Sequence, residues 1–352
     1  MFTISYFPYT LHFKRPAGTS RGYLRTKVSY FFRMAYKDQP NVVGWGECGP
    51  IKGLSVDDWP NLVAQLDRVC ERINAGQPLE TLDLSQWPSI AFGLEMARLD
   101  LEHGGQRLLF ASDFSQGRAG LPLHGLIWMD SHEGILRQVA NKVDQSFTCI
   151  KMKIGALDFE QECAVLADIR QRFPEVQLRL DANGAYTPDD ALRVLERLAH
   201  FDIHFLEQPI KPKQWSGMIK VCAESPIPIA LDEELIGIHD NQQRKTLLET
   251  IQPQHIVLKP MLLGGFAAAE KWIELAEKLG IEWWINSSLE SNVGLNAICQ
   301  WTSALQTGRI HGLGTGMLYT NNVPSPIRLS GSRLHIDHSQ AWDLSLIAIL
   351  NG

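Results

Sequence analysis

Apolar residues alternate with charged ones at 150–154, and this stretch organises the second half of the chain. Two isoleucines and a methionine occupy the even positions, and Lys151 and Lys153 lie between them. Successive side chains of a strand point to opposite faces. The pattern therefore predicts a strand with one buried apolar face and one face that presents two neighbouring lysines.

Further apolar runs follow at a nearly constant interval, and each ends in a charged residue. These residues are Asp181, Glu207, Asp232 and Lys259, and the steps from Lys153 onward are 25 to 28 residues. Helix-like sequence follows each run, and a repeat of this length fits a strand with a crossover helix. Charged residues at the C-terminal ends of parallel strands meet at one mouth of a (β/α) barrel. The pattern therefore predicts an α/β barrel with its chemistry at that mouth.

The barrel is predicted to begin after residues 121–122 and to contain eight strands. The first two are expected at 123–129 and 148–154, where β-branched and other apolar residues cluster. The other six are expected to end near Asp181, Glu207, Asp232, Lys259, Asn286 and Gly312. Capping residues at Asp158 and Thr187 indicate the helices that follow the second and third strands.

The first third of the chain has a different pattern, with strands followed by helices. The spacing of apolar residues predicts strands at 26–34 and 42–45 and helices at 57–75 and 89–103. Polar, glycine-containing sequence at 15–22 and 49–55 predicts two loops, the first of them mobile. We expect an α+β capping domain at 1–122, completed by 327–352, and a catalytic barrel at 123–326.

Composition limits the range of partners. With 45% hydrophobic and 20% charged residues the chain is typical of a globular protein, and its net charge of −6 argues against nucleic acid. No apolar run approaches the roughly 18 residues that cross a bilayer, and no secretory signal is recognisable. Scattered cysteines favour a reducing compartment. We expect a cytoplasmic protein with a small-molecule partner and no membrane contact; the sequence does not indicate an oligomeric state.

The three acidic residues at the mouth predict a metal site. Asp181, Glu207 and Asp232 supply only oxygen ligands, and three facing carboxylates raise one another's pKa unless a cation lies among them. Such a set suits Mg²⁺, or Mn²⁺ as an alternative, with positions left for substrate oxygens. Glu233 is the alternative third ligand, since neighbouring residues of a strand cannot both face the mouth.

The two lysines at strand ends predict acid–base chemistry. Lys153 on the second strand and Lys259 on the sixth are expected to approach from opposite sides of the barrel. Lys151 lies beside Lys153, and neighbouring ammonium groups lower each other's pKa, which favours a neutral general base. A carboxylate substrate held at the metal would present its α-carbon between the two lysines. The predicted step is removal of the α-proton, with the enediolate stabilised by the metal and the second lysine.

Together these motifs resemble the enolase superfamily, in its muconate-lactonizing-enzyme subgroup. The matching motifs are Lys151-x-Lys153, Asp181-Ala182-Asn183, Glu207-Gln208-Pro209, Asp232-Glu233, Lys259 and, near the N-terminus, Gly44-x-Gly46-Glu47. The resemblance implies a modified (β/α)₇β barrel of the TIM type under an α+β capping domain. It also implies Mg²⁺ bound by Asp181, Glu207 and Asp232.

Within the subgroup, residues 125–128 and 287–295 resemble the dehydratases of menaquinone biosynthesis. Those enzymes convert 2-succinyl-6-hydroxy-2,4-cyclohexadiene-1-carboxylate to o-succinylbenzoate by syn-elimination of water. The resemblance implies that Lys153 removes the proton and protonates the leaving hydroxyl, while Lys259 stabilises the enediolate. The substrate contacts that we expect are Asn183, Ser288, Glu290, Thr315 and, from a lid formed by 19–21 and 51–54, Arg21.

Two alternatives remain open from the sequence. A dipeptide epimerase or N-acylamino acid racemase of the same superfamily would use both lysines as bases. Dipeptide epimerases carry Asp-x-Asp on the eighth strand to hold the substrate amine, whereas residues 312–316 of this chain include no acid. This difference counts against a cationic substrate. A non-catalytic ligand-binding relative is the alternative of another class, and the complete set of lysines and carboxylates argues against it.

Overall fold

The computed structural model describes residues 1–19 and 22–348, and it begins with a long antiparallel ribbon. Strand β1 (Phe2–Thr19) pairs with β2 (Gly22–Tyr36) from one end to the other, with one register shift. Strand β3 (Gln39–Cys48) pairs with the other side of β2 and completes a three-stranded sheet. The strands predicted in this region are confirmed, and they are longer than the sequence indicates.

The mobile loop predicted at 15–22 is wrong for the residues that the structure describes. Residues up to Thr19 continue β1 and pair with the start of β2. Pro16 signals a loop in the sequence, but it lies in the register break between His12 and Ala17, where its missing N–H costs no ladder hydrogen bond to β2. The predicted lid residue Arg21 lies outside the described residues.

Two helices pack against this sheet at the positions that the apolar spacing predicts. They are α1 (Leu62–Asn74) and α2 (Pro88–Glu102). Helix α2 lies directly on β3 because Gly44 and Gly46 have no side chains. A Cβ atom at Gly46 would lie 1.9 Å from the carbonyl oxygen of Gly93. The glycines of this motif therefore hold a helix and a strand in close contact.

A second sheet follows the two-residue strand β4 (Leu121–Pro122). Its seven strands are parallel and adjacent in chain order: β5 (Gly125–Ile127), β6 (Cys149–Lys153), β7 (Gln177–Asp181), β8 (Ile203–Glu207), β9 (Ile229–Leu231), β10 (His255–Leu258) and β11 (Glu282–Ile285). Helices between and after them are α3 (His132–Asp144), α4 (Phe159–Arg172), α5 (Pro188–Leu198), α6 (Trp215–Glu224), α7 (Asn241–Ile251), α8 (Pro260–Leu263), α9 (Phe266–Leu279) and α10 (Asn292–Ala304). Asp158 and Thr187 cap α4 and α5 as predicted.

The predicted eighth strand is reduced to two residues that close the barrel. His311 forms a parallel bridge to Leu123, and Gly312 forms one to Asn286. The amide of Gly312 donates to the carbonyl oxygen of Ile285 at 2.9 Å. Both edges of the seven-stranded sheet are joined through this pair, so the fold is a (β/α)₇β barrel with a separate antiparallel sheet beside it.

Two short strands follow the barrel. Strand β12 (Ile327–Ser330) and strand β13 (Arg333–Ile336) form an antiparallel sheet with β4. The short helix α11 (Ser345–Ala348) lies against β1. Within the described ranges, no helix combines the length and the apolar character that a membrane span requires.

Candidate active site

The five charged residues predicted at the mouth lie at the C-terminal ends of five consecutive barrel strands. Lys153, Asp181 and Glu207 end β6, β7 and β8. Asp232 and Lys259 directly follow β9 and β10. A cavity of about 630 Å³ opens at this mouth, and both lysines line it. The (β/α) period thus brings together residues that span more than 100 positions of the chain.

Lysine ammonium groups lie between the carboxylates. The Nζ of Lys151 is 3.0 Å from Oδ2 of Asp181 and 2.6 Å from Oε2 of Glu207. The Nζ of Lys153 is 3.2 Å from the same oxygen of Asp181. Asp181 therefore receives two lysines from adjacent positions on one strand face, while the residues of the other face at 150–154 are buried.

Charge and burial act against each other at these carboxylates. Burial alone would raise the pKa of Asp181, but the three surrounding lysines outweigh burial and hold it well below its usual range. Burial raises the pKa of Glu207, and the charge of Asp181 adds to that effect. A further nearby cation would therefore stabilise the ionised form of Glu207 more than that of Asp181.

The predicted lowering of the pKa of Lys151 by its neighbour is wrong. Burial favours the neutral amine, but Asp181 and Glu207 outweigh it and raise the pKa of Lys151 above its ordinary value. Lys151 is therefore a fixed cation that ties two strand ends together. The pKa of Lys259 is raised in the same way, because Asp232 accepts a hydrogen bond from its Nζ and outweighs burial.

Asn183 forms hydrogen bonds with both Lys153 and Glu233. The Nζ of Lys153 donates to Oδ1 of Asn183 at 2.6 Å, and Nδ2 of Asn183 donates to Oε1 of Glu233 at 3.0 Å. The rule that only one of Asp232 and Glu233 faces the mouth does not apply, since β9 ends at Leu231 and a 3₁₀ turn starts at Glu233. The hydrogen bond with Asn183 therefore places Glu233 near the mouth as well.

The donor set fits a hard divalent cation. Asp181, Glu207 and Asp232 are buried carboxylates at adjacent strand ends, and Oε2 of Glu207 accepts no hydrogen bond of good geometry. In the part of the chain that the structure describes, no three His, Cys, Asp or Glu side chains are arranged as a metal cage. Lys151 lies between two of the carboxylates instead.

The wall made by β11 and the eighth strand is polar. Ser288 and Thr315, two of the expected substrate contacts, line the cavity, and Thr315 Oγ1 donates to Ser287 Oγ at 2.8 Å. Asn286 lines the cavity as well, although the sequence did not indicate it. Glu290 does not line the cavity. It is fully buried beneath the wall, accepts from the amide of Ser288 at 2.6 Å, and burial raises its pKa to about 7.

The remaining walls come from β5 and the capping sheet. The lid predicted at 51–54 lines the cavity, together with Tyr23. His124, Leu126 and Trp128 line it from β5 and its two flanking positions. Leu126 and Trp128 belong to the 125–128 motif, but sequence reasoning assigned none of the three to the site. Their spacing of two residues places them on one face of a strand. This alternation was the signal that the sequence offered for these residues, but it lacks the strand-end carboxylates and lysines that marked the other strands.

A buried carboxylate connects the two parts of the structure. Glu47 of β3 is fully buried and accepts from Ser291 Oγ at 2.6 Å and from the amide of Gly294 at 3.0 Å. Its own sheet supplies Ser29 Oγ at 2.7 Å and Lys27 Nζ at 3.7 Å. The acidic residue of the Gly44-x-Gly46-Glu47 motif therefore anchors the start of α10, next to the polar wall of the cavity.

Removing this carboxylate should destabilise the fold. Glu47→Ala leaves Lys27 buried without its partner and is expected to lower the free energy of unfolding by about 3–5 kcal/mol. Chemical denaturation followed by circular dichroism measures this change. Glu102→Ala is the control, because Glu102 forms an exposed pair with Arg98 at 3.6 Å and should change stability by less than about 1 kcal/mol. Equal effects of the two substitutions would contradict the buried anchor.

Family models match both parts of the chain. The model described as Enolase C-terminal domain-like matches residues 134–342, and the model described as MenC, N-terminal domain matches residues 3–101. A closed barrel with carboxylates and lysines at its mouth, beside an antiparallel capping sheet, defines an enzyme of the enolase superfamily.

Similarity to individual proteins indicates which family of the superfamily the chain belongs to. The chain is 44% identical to the o-succinylbenzoate synthase of Desulfotalea psychrophila, covering 95% of this chain and 98% of that protein. The crystal structure of MenC from the same organism has a TM-score of 0.85 and covers 95% of this chain and 99% of that chain, at 40% identity. The L-Ala-D/L-Glu epimerase of Bacillus subtilis is 25% identical, over 96% of this chain and 94% of its own length. The chain belongs to the o-succinylbenzoate synthase family.

Proposed function

We propose that this chain catalyses the syn-dehydration of 2-succinyl-6-hydroxy-2,4-cyclohexadiene-1-carboxylate to o-succinylbenzoate in menaquinone biosynthesis. The observation that carries the proposal is 44% identity over 95% of the chain to an o-succinylbenzoate synthase. The substrate is a small carboxylate. Six free cysteines support a location in the reducing cytoplasm.

Lys153 is the proposed acid–base residue. Its neutral amine takes the α-proton as the C–H bond breaks, and the resulting ammonium gives a proton to the hydroxyl that leaves as water. Hydrogen bonds to Asp181 at 3.2 Å and Asn183 at 2.6 Å hold Nζ towards the cavity and support this role. Lys259 supplies positive charge to the developing enediolate, and its pairing with Asp232 supports a permanent ammonium.

Asp181, Glu207 and Asp232 are the proposed ligands of Mg²⁺, and the same oxygen donors accept Mn²⁺. When bound, the cation stabilises negative charge that develops on the substrate carboxylate. Lys151 is proposed to orient Asp181 and Glu207, because it contacts both carboxylates and lies at the base of the cavity. Asn183, Ser288 and Thr315 line the cavity and are proposed to contact the substrate.

We also propose that the chain divides into a cap at 1–122 with 327–352 and a barrel at 123–326. The return of the chain towards β1 after the barrel supports this division. Helix α11 (Ser345–Ala348), which belongs to the returning segment, lies against β1. The lid at 51–54 then closes a cavity whose chemistry belongs to the barrel.

Proton exchange tests dehydration against racemisation. A dehydratase removes a proton from one face only, whereas a racemase exchanges protons through both lysines. Deuterium uptake from heavy water is measured with each enantiomer of an N-succinyl amino acid, in the wild type, Lys153→Ala and Lys259→Arg. We expect fast dehydration of the cyclohexadiene that is abolished in Lys153→Ala and partly kept in Lys259→Arg, since arginine keeps the charge.

Symmetric exchange from both enantiomers with no turnover of the cyclohexadiene would replace this proposal with the racemase. The absence of an acid at 312–316 argues against an epimerase that holds a substrate amine. A protein that shows neither reaction but binds the carboxylate would be the non-catalytic relative.

A further inference from the structure

We propose that His124 contacts the substrate, with its Nε2–H donating to an oxygen on the substrate arm remote from the reacting carboxylate. Arg179 is the proposed positioning residue that keeps the His124 ring in this form. The identity of the arm rests on the proposed function, whereas the state of the ring does not.

His124 lies where the barrel closes. It is buried yet lines the cavity beside Lys151. Gly312 of the two-residue eighth strand faces it, and a Cβ atom there would lie 2.7 Å from Cε1 of His124 and 2.0 Å from Oδ1 of Asn286. Any larger residue at this position would displace both side chains. The glycine therefore leaves space for His124 and Asn286 to meet the cavity.

Arg179 determines which ring nitrogen carries the proton. Its Nη1 lies 3.5 Å from Nδ1 of His124 and 3.0 Å from the carbonyl oxygen of Ile310. A guanidinium has donors and no acceptor, so the nitrogen that faces it must be the unprotonated one. The proton of a neutral ring then lies on Nε2. Burial, together with the charges of Arg179 and Lys151, keeps the pKa of His124 well below its ordinary value.

The position of Arg179 does not depend on an acid. Its guanidinium lies 5.3 Å from the ring centroid of Phe205 and 5.1 Å from that of Trp284, inside the barrel. Within the described ranges Arg179 forms no ion pair, so two aromatic faces and one carbonyl oxygen hold it. The guanidinium is therefore held without a paired carboxylate, although the charge of Glu207 acts on it, and its Nη1 faces Nδ1 of His124.

Unused polar atoms collect on the same wall. Among the residues that the structure describes, Oδ1 of Asn286 and Oγ of Ser288 have no hydrogen-bond partner, and the side-chain contact of His124 with Arg179 uses Nδ1 rather than Nε2. This wall lies across the cavity from the acidic strand ends of β7 to β9. A substrate whose reacting carboxylate is held there would extend its other arm towards His124. A succinyl arm ends in a carboxylate, which accepts hydrogen bonds and suits a neutral N–H donor.

Kinetics of two substitutions test the contact. In His124→Leu the donor is lost, and KM for the cyclohexadiene should rise about 10- to 100-fold, the value of one hydrogen bond to a charged group. The kcat should fall much less. His124→Gln places an amide nitrogen near the former Nε2 and should restore most of the loss. His204→Gln is the control, because His204 lies on β8 away from the cavity lining.

Binding measurements separate the contact from a structural role. The Kd of o-succinylbenzoate should rise in His124→Leu by the same factor as KM, while the Kd of benzoate, which lacks the arm, should not change. Equal weakening of both ligands, or unchanged kinetics with wild-type turnover intact, would overturn the contact. A wild type that neither turns over the cyclohexadiene nor binds o-succinylbenzoate would instead contradict the proposed function, and with it the identity of the arm.

The ring itself can be observed without substrate. Nitrogen-15 spectra of histidine-labelled protein, with the His124 signals identified by their loss in His124→Gln, should show a protonated Nε2 and an unprotonated Nδ1 at pH 7. A proton on Nδ1, or an imidazolium, would overturn the positioning role of Arg179 whatever the kinetics show.

Discussion

Lys153→Ala is expected to lower kcat for dehydration by at least about 1,000-fold, because one group both removes and returns the proton. The hydrogen bonds from Lys153 to Asp181 and Asn183 position Nζ, and alanine removes both the base and these contacts. Stopped-flow absorbance of the aromatic product measures the rate. The exposed Lys278 supplies the control variant Lys278→Ala, which should retain wild-type turnover.

Two results would argue against this role. One is a Lys153→Ala variant that keeps a tenth or more of the wild-type kcat. The other is a loss of turnover that is accompanied by unfolding, which thermal denaturation of the variant detects. Lys153 lies at the end of a strand with its Nζ facing the cavity, so we expect the melting temperature to change little.

Glu207→Gln and Asp232→Asn should each reduce turnover by about 1,000-fold or more, because neutral amides bind Mg²⁺ poorly. Glu233→Gln is the matched comparison, since Glu233 follows Asp232 directly but is not one of the three proposed ligands, and its Oε1 accepts from Nδ2 of Asn183. Calorimetric titration with Mg²⁺ measures binding separately from activity. Weak binding in the first two variants and wild-type binding in the third is the expected result.

A chelator provides the second half of this test. Activity should disappear when the divalent cation is removed and return when Mg²⁺ or Mn²⁺ is added. Full activity in Asp232→Asn together with an inactive Glu233→Gln would exchange the third ligand. Activity that a chelator leaves intact would end the metal proposal.

The barrel was predictable because its signal repeats. Each strand needs an apolar run, and each charged strand-end residue follows that run at the same end. The regular interval between these residues, from Lys153 to Lys259, therefore predicts both the barrel and the position of its mouth. The C-terminal ends predicted for β6 to β11 lie within one residue of the observed ends. Capping chemistry at Asp158 and Thr187 depends on neighbouring residues alone, and those predictions are confirmed as well.

The rest depends on contacts that a linear pattern does not contain. The neighbouring Lys153 was expected to lower the pKa of Lys151, but Asp181 and Glu207 come from other strands and raise it instead. Glu290 was expected to contact the substrate, but it is fully buried, accepts from the amide of Ser288 and does not line the cavity. His124 has no charged neighbour in sequence, and its importance arises only where the barrel closes. Pro16 suggests a loop unless the register break within β1 is known.

The anchor at Glu47 sets an order of assembly during synthesis. Its partners Ser291 and Gly294 follow 244 and 247 residues later. A ribosome adding about 5 to 20 residues per second reaches them roughly 10 to 50 s after it has passed Glu47. Until then, only Ser29 and Lys27 of its partners in the folded structure have been synthesised. The rest of the hydrogen-bonding capacity of the carboxylate is left to water. The buried anchor between the two parts of the structure can therefore form only after the chain has been synthesised through Gly294.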